Sequence, residues 1–496
     1  MSATADPRTV PTGWDAAGAS AAASRPSGAR PSAAQDGAAQ HGTARPSAAQ
    51  HGTARDSAAR DSAARDSASQ DSTALPAPAL PGAAAGAALP RAAAAAPRRA
   101  AVAGAVGPRA EAAVDLAAIR HNVAVLSGMA ARSGAATMAV VKAEGYGHGS
   151  VAVAGAALSA GATWLGVCTM DEALTLRAGG ITAPILSWLD LPDDDFAAGV
   201  AGHVDLSVGS LAELAAVRDA AVRVGLPARV HLKIDTGLSR NGCGEAEWPD
   251  LVRAAAQVAG EGHITVVAVW SHLAHGDEPE NPMLDRQADR LDAAWRHACQ
   301  AGLRPIRHLA NSAATLTRPD LHYDLVRPGI AVYGLDPVGP PPSAYGLRPA
   351  LTFRTRVALV KWVPAGEGVS YGHEWTTPHP TILALLPVGY ADGVPRRLGS
   401  RPSGVGGMRV LVAGRSLPVV GRICMDQIVV DCGPDGGGVT VGAEAVLFGP
   451  GDRGEPTAQD WADALGTIHY EIVTGLRVGR VSRTVFGMDE HGAEQE

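Results

Sequence analysis

The chain has 496 residues, a formal net charge of −7 and only 4% aromatic side chains. A length of this order points to two folded domains plus a further segment, and the mildly acidic balance gives no basis for nucleic-acid binding. The five cysteines (Cys168, Cys243, Cys299, Cys424, Cys432) are scattered without metal-ligand spacing. They read as free thiols of a reducing compartment, so a cytoplasmic location and no metal are expected. No apolar run reaches membrane-spanning length, and no membrane association is expected.

Residues 1–108 differ in composition from everything after them. PSAAQ and HGTAR units each occur twice up to Arg55, and RDSAA-like units then run to Asp71. An Ala/Pro-rich stretch follows. Up to Pro108 there are ten Arg and seven Asp but no Lys or Glu, and Trp14 is the sole aromatic residue. Such a segment cannot bury enough apolar surface to offset its ordering entropy, so a disordered tail is expected. Arg98-Arg99 precede a short Ala-rich run that is too short and too far from Met1 to read as an export signal.

From Arg109 the composition is that of a folded protein. Val114 to Val125 has helical spacing, with Asp115 near its start. β-like runs then alternate with Ala-rich helical segments: Met138–Val141, Trp164–Cys168, Pro184–Leu189, Val204–Val208, Arg229–Ile234, Ile264–Trp270, Ile306–Leu309 and Leu325–Tyr333. Eight strands with helices between them predict an α/β fold, a (β/α)8 TIM-type barrel spanning residues 109–350. Beyond Leu351 short alternating runs appear at Leu351–Val363, Thr381–Leu386, Met408–Val412, Leu417–Val430 and Ala445–Phe448, with one helical segment near Ala458–Leu465. They predict a mainly antiparallel β domain over residues 351–496.

The chemistry collects at the carboxyl ends of the predicted barrel strands, where ligands bind in such folds. Lys142 ends a short buried run and is followed by a Gly-Tyr-Gly-His-Gly loop. A lysine so placed can lose its ammonium proton by desolvation and act as a nucleophile. Lys233, Asp235 and Arg240 lie in HLKIDTGLSRNG, Ser271 and His272 follow VVAVW, Asn311 and Ser312 follow RHLA, and Arg327 precedes Pro328-Gly329. Each has a plainer reading taken alone. Lys233 and Asp235 would make a strand-end ion pair, His272 a satisfied barrel histidine, Arg327 a surface turn residue and Tyr371 a cross-strand aromatic. Trp362 and Trp375 read as packing. Five such strand ends on one face point to an active site.

AVVKAEGYGHG, HLKIDTGLSRNG, WSHLAHGDE, ANSAA, VRPGIAVYG, GVSYGHEW, PVGYADG and GRICMDQ, in that order, resemble the motifs of the alanine racemases. These are pyridoxal-phosphate enzymes built from a barrel and a β domain, and the resemblance runs from about Arg109 to Phe486. It implies that Lys142 carries pyridoxal 5'-phosphate as a Schiff base and then serves as one catalytic base, with Tyr371 as the other. Racemisation needs a base on each face of the Cα. Phosphate contacts are implied for Tyr146, Ser312 and the backbone of Gly329 and Ile330. Arg240 is implied beside the cofactor's phenolic oxygen, where it also contacts substrate, and Lys233 is implied as a lysine often carbamylated. Arg327 would face the pyridine nitrogen, where aminotransferase-type enzymes place an acidic residue. Because arginine has only donors, the nitrogen would stay unprotonated and transamination would be suppressed. His272 would bridge Arg327 and Tyr371. Met425 (through its amide) and Asp426 resemble the substrate-side loop, and Tyr390 an entry-channel tyrosine.

The implied activity is interconversion of L- and D-alanine, supplying D-alanine for cell-wall peptidoglycan. The implied assembly is a homodimer in which the β domain completes the partner's site. The alternatives are a broad-specificity serine or lysine racemase and a non-catalytic pyridoxal-phosphate-binding protein. Three positions depart from the family pattern. Glu144 stands where Asn is usual, GLSRNG replaces GMGRLG, and Val478 or Gly479 stands near the place of a phosphate-site tyrosine.

Overall fold

A computed structural model describes residues 107–339, 343–399 and 407–487. The tail expected to be disordered lies outside the described residues, save for Gly107 and Pro108. Strand β1 (Ala110–Asp115) opens the fold, and Asp115 turns the chain into helix α1 (Leu116–Arg132). The Asp115 carboxylate accepts from the amides of Ala117 and Ala118 at 2.8 and 3.3 Å, satisfying donors that a helix start leaves without intrahelical partners.

The next eight strands are β2 (Ala136–Val140), β3 (Trp164–Val167), β4 (Ile185–Ser187), β5 (Val204–Val208), β6 (Ala228–Lys233), β7 (Ile264–Trp270), β8 (Ile306–His308) and β9 (Leu325–Val326). All are parallel, in the order β8-β7-β6-β5-β4-β3-β2-β9, which is a nearly closed TIM-type barrel as the alternating pattern predicts. The last expected strand, Leu325–Tyr333, is much shorter. Pro328 has no N–H for a ladder, and the chain bends into a 3-10 turn at Ile330–Tyr333. Lys142, Asp235, Ser271, Ser312 and Arg327 all follow the carboxyl ends of their strands and so share one mouth of the barrel.

The remaining strands are β10 (Leu351–Arg356), β11 (Leu359–Val363), β12 (Gly368–Val369), β13 (Trp375–Thr376), β14 (Thr381–Leu386), β15 (Arg409–Val412), β16 (Arg415–Val420), β17 (Ile428–Asp431), β18 (Glu444–Phe448) and β19 (Ser482–Phe486). A nine-stranded sheet runs β11-β14-β17-β16-β15-β18-β10-β1-β19, while β12 and β13 form a separate ribbon. The stretch Leu417–Val430, expected as one run, is broken by the loop that carries Met425. The sequence pattern had no strand at β1. Here β1 lies antiparallel to β10 and parallel to β19, so the first strand of the folded chain belongs to the sheet built by its last third. Its Ala110, Ala112 and Val114 are buried, and Glu111 pairs with Arg354 at 2.9 Å. Trp375 packs on a small cluster of Val363, Val369, Leu383 and Val420. Trp362, expected to pack, is 61% exposed on edge strand β11 instead. No helix among the described residues is long and apolar enough to cross a membrane.

One buried polar side chain ties the start of the barrel to its exit. Asn122 of α1, fully buried, donates to the carbonyls of Val332 (3.1 Å) and Arg348 (2.8 Å) and accepts from the Arg348 amide (2.8 Å). Asn122→Ala leaves these backbone groups without partners, at about 1–3 kcal/mol for each group that water cannot reach. The expected loss is about 3 kcal/mol in denaturant unfolding, and a loss below about 1 kcal/mol would show that the site readmits water.

Candidate functional site

The chain leaves β2 through Val141 and turns sharply at Lys142. Ala143, Glu144, Gly145 and Tyr146 then take φ of 52°, 56°, 61° and 50°. A left-handed turn costs roughly 1–2 kcal/mol per non-glycine residue, so it must be held from outside. Glu172, at the start of the helix Met170–Ala178, accepts from the amides of Ala143 (2.6 Å) and Cys168 (2.7 Å). From β19, Arg483 pairs with Glu144 at 3.0 Å and donates to the Gly147 carbonyl at 3.1 Å. The Glu144 carboxylate is thus occupied by Arg483. The Lys142 ammonium lies 5.9 Å from the centre of the Trp188 ring.

Tyr146 is buried against Tyr333, with ring centres 4.8 Å apart, and burial raises its phenol so that it keeps its proton. A Cβ on Gly329 would collide with the Tyr146 hydroxyl, so this close approach requires glycine. Ser312 Oγ accepts from the amides of Gly329 (2.8 Å) and Ala331 (3.3 Å), which leaves its own O–H to donate. The hydroxyls of Tyr146 and Ser312 and the Ile330 amide thus form a set of donors suited to a phosphate group, beside the Gly329 amide, which is engaged by Ser312. Neighbouring Asn311 caps the helix Ser312–Thr317 through its side chain, accepting from Ala314 N at 3.0 Å.

Arg327 follows β9, the strand that pairs with β2, and is buried rather than at a surface turn. Its guanidinium donates to the carbonyls of Ser271 (2.8 Å) and Leu309 (3.1 Å) and to Nδ1 of His272 (3.2 Å) and His308 (3.1 Å). It also stacks 4.8 Å from the Trp270 ring. Burial pulls its pKa down to about 9, still high enough to keep the cation at neutral pH. Lys233 lies over the same Trp270 ring at 4.4 Å. Burial, then the charges of Arg327 and Arg240, bring its amine down to about 8. Asp235, the expected ion partner of Lys233, instead shapes the next loop by accepting from the amides of Gly237, Leu238 and Ser239 at 2.9, 3.1 and 3.1 Å. Burial, followed by the cations Arg327, Arg240, Lys233 and Lys142, holds His272 far below the usual imidazole range. His272 is therefore neutral, and since Nδ1 accepts from Arg327, its proton lies on Nε2. Arg240 is exposed on the loop above.

The other predicted residues form a second group on the β domain. Tyr371 lies in the tight turn between β12 and β13 and is 71% exposed. Ser370, at φ 63°, donates to the Arg422 carbonyl at 2.7 Å and lies 3.2 Å from Cys424 Sγ. These contacts join the Tyr371 turn to the loop bearing Met425 and Asp426. Tyr390 N donates to the Cys424 carbonyl at 3.1 Å, and Asp426 pairs with Arg480 at 2.5 Å. Among the described residues, no hydrogen bond joins Tyr371 to Lys142, His272 or Arg327 within one chain. Sequence reasoning missed Trp188, Trp270, His308, Glu172 and Arg483. Of these only Trp270, directly before Ser271-His272, stood inside a recognised motif.

Residues 114–337 match the family model for the alanine racemase N-terminal domain, and residues 350–485 match that for the C-terminal domain. The alanine racemase of Salinispora arenicola (strain CNS-205) is 55% identical over 383 residues, covering 76% of this chain and 99% of that protein. The alanine racemase of Mycobacterium ulcerans (strain Agy99) is 54% identical over 379 residues, covering 76% of this chain and 95% of that protein. The solved alanine racemase from Streptomyces coelicolor A3(2) matches with a TM-score of 0.73 at 51% identity, covering 77% of this chain and 98% of that one. Both domains, in this order and over this length, place the chain in the alanine racemase family.

Proposed function

We propose that the protein is a cytoplasmic, pyridoxal-phosphate-dependent racemase that interconverts L- and D-alanine, works as a homodimer with shared sites, and supplies D-alanine for peptidoglycan. The observation that carries this reading is the barrel mouth itself. Lys142 stands there with an anion cradle and a buried, donor-only Arg327 in the same chamber. Bound pyridoxal phosphate would acidify the Cα proton of an amino acid joined to it. The Tyr146 and Ser312 hydroxyls and the Ile330 amide would hold its phosphate, and Gly329 is needed for the close packing of Tyr146 there.

Within this frame the side chains divide the work. Lys142 moves a proton at the substrate Cα on one face, and Tyr371 of the partner subunit does so on the other. Arg327 offers N–H to the ring nitrogen and no proton to give up, which favours simple proton return over transamination. His272, neutral and carrying its proton on Nε2, joins Arg327 to the Tyr371 of the partner subunit. An amine near pKa 8, flanked by Arg327 and Arg240, suits Lys233 to carbamate formation. The resulting anion would hold Arg240, which also meets the substrate. Met425 and Asp426 line the substrate side, and Tyr390 the entrance.

Two experiments test this. Incubation with single L-amino acids should yield D-alanine from L-alanine, and comparable turnover of L-serine or L-lysine would replace the substrate assignment with a broad-specificity racemase. Borohydride reduction and peptide mapping of the same protein should place a pyridoxyl group on Lys142; a label on Lys233 or Lys361 instead refutes the assignment.

The shared site is tested by refolding. Lys142→Ala and Tyr371→Phe chains should each be nearly inactive alone. Mixed, unfolded and refolded, they should form about half hybrid dimers, each with one doubly damaged and one intact site, so roughly a quarter of wild-type activity returns. No recovery, with a wild-type refolding control succeeding, would show that each site is built within one chain.

A further inference from the structure

A line of buried polar groups crosses the barrel interior behind Arg327. Arg327 Nη1 lies 3.1 Å from His308 Nδ1, His308 Nε2 lies 2.9 Å from His231 Nδ1, and His231 Nε2 lies 3.1 Å from Asp205 Oδ2. His231 and His308 are fully buried, Asp205 is 1% exposed and Arg327 4%. They come from β5, β6 and β8 and from the residue after β9. At its far end Asp205 is gripped by Arg229, through Nε–Oδ1 at 2.6 Å and Nη2–Oδ2 at 3.1 Å.

The ends of this line fix the direction of every bond in it. A guanidinium can only donate and a carboxylate can only accept. Asp205 therefore requires the proton of His231 on Nε2. If His231 is neutral, its Nδ1 is a lone pair, and His308 must supply the proton from Nε2. His308 Nδ1 is then the acceptor that Arg327 needs. Protonating His231 would put a donor on Nδ1, force the lone pair of His308 to Nε2, and turn a His308 N–H against the Arg327 N–H. The two rings are thus neutral and share one tautomer. The surroundings agree. His308 stacks on Trp270 (5.3 Å) and His231 meets the edge of Trp164 (5.5 Å). The charged or titratable groups facing the line are Lys233 and His272, themselves near Arg240, at the Arg327 end and Arg229 and Arg177 at the Asp205 end.

We propose that Asp205 is a positioning residue for Arg327: by fixing the tautomers of His231 and His308, it presents one acceptor to the guanidinium and holds its plane toward the cofactor ring. This rests on the racemase reading above. Without the carboxylate, His231 is free to carry its proton on Nδ1. In that tautomer the whole line reverses and Arg327 meets a donor.

The test uses the holoenzyme with 15N-histidine labelling. Long-range 1H–15N spectra, assigned with His231→Gln and His308→Gln, should show both wild-type rings neutral with the proton on Nε2 from pH 6.5 to 9 (about the span between the usual His value and the Arg327 range). Either ring protonated on Nδ1 or cationic overturns the proposal, whether or not Asp205→Ala folds. Asp205→Ala should mix the tautomers and lower kcat about 10–100-fold, with KM for alanine changing less than ~3-fold. Unchanged tautomers, or a KM effect at constant kcat, would also overturn it. If wild type fails to racemise alanine, the functional reading falls, while the spectra still decide whether Asp205 sets the tautomers.

Discussion

The burial of one cation, Arg327, constrains the barrel more than any other single feature. A guanidinium out of water is costly unless every N–H finds an acceptor. Here it is met by two carbonyls, two imidazole nitrogens and the face of Trp270. Those acceptors exist only because β7, β8 and β9 end where they do, and because the two histidines are neutral. The same cation helps pull down the Lys233 amine and the His272 imidazole. Burial first and this charge second thus fix the protonation of its neighbours, and a site whose reaction is proton transfer depends on that setting.

The β domain has two duties in this arrangement. It presents Tyr371, Met425 and Asp426 where, among the described residues, no hydrogen bond or ion pair joins them to Lys142, His272 or Arg327 of the same chain. It also reaches back through Arg483 of β19 to brace the turn beside Lys142. Since β19 is aligned by β1, the residues just before the barrel and those at the end of the described chain jointly position the lysine.

Much of this was legible in the sequence, for identifiable reasons. Barrel strands are buried on both faces and bounded by Ala-rich helices, so their apolar runs stand out, and each catalytic candidate sits at a strand end within a short contiguous motif. What was not legible depends on contacts between distant segments. AEAAVD carries too few large residues to announce a strand, and β1 is a strand because β10 and β19 flank it. Leu325–Tyr333 is apolar enough to read as one strand, yet Pro328 ends the ladder. Asp205, His231 and His308 look like ordinary strand residues one by one, and only the fold aligns them. Trp362 shows the reverse limit: a tryptophan in an alternating run suggests a core, but nothing in the run shows that its strand lies at the sheet edge.

Glu144 shows how a local departure is absorbed by a distant residue. A carboxylate two positions from Lys142 would, if free, favour the lysine's charged form and so oppose its use as a base. Arg483 engages that carboxylate at 3.0 Å and, with the same guanidinium, holds the Gly147 carbonyl. At Gly147, φ is 81° and a Cβ would strike the Val473 carbonyl, so the turn is also packed against the helix His469–Thr474. Arg483 thus compensates Glu144 and, together with Glu172, helps hold the left-handed turn. Loss of Arg483 would weaken that hold and expose an uncompensated carboxylate beside Lys142, the lysine proposed above to carry the cofactor.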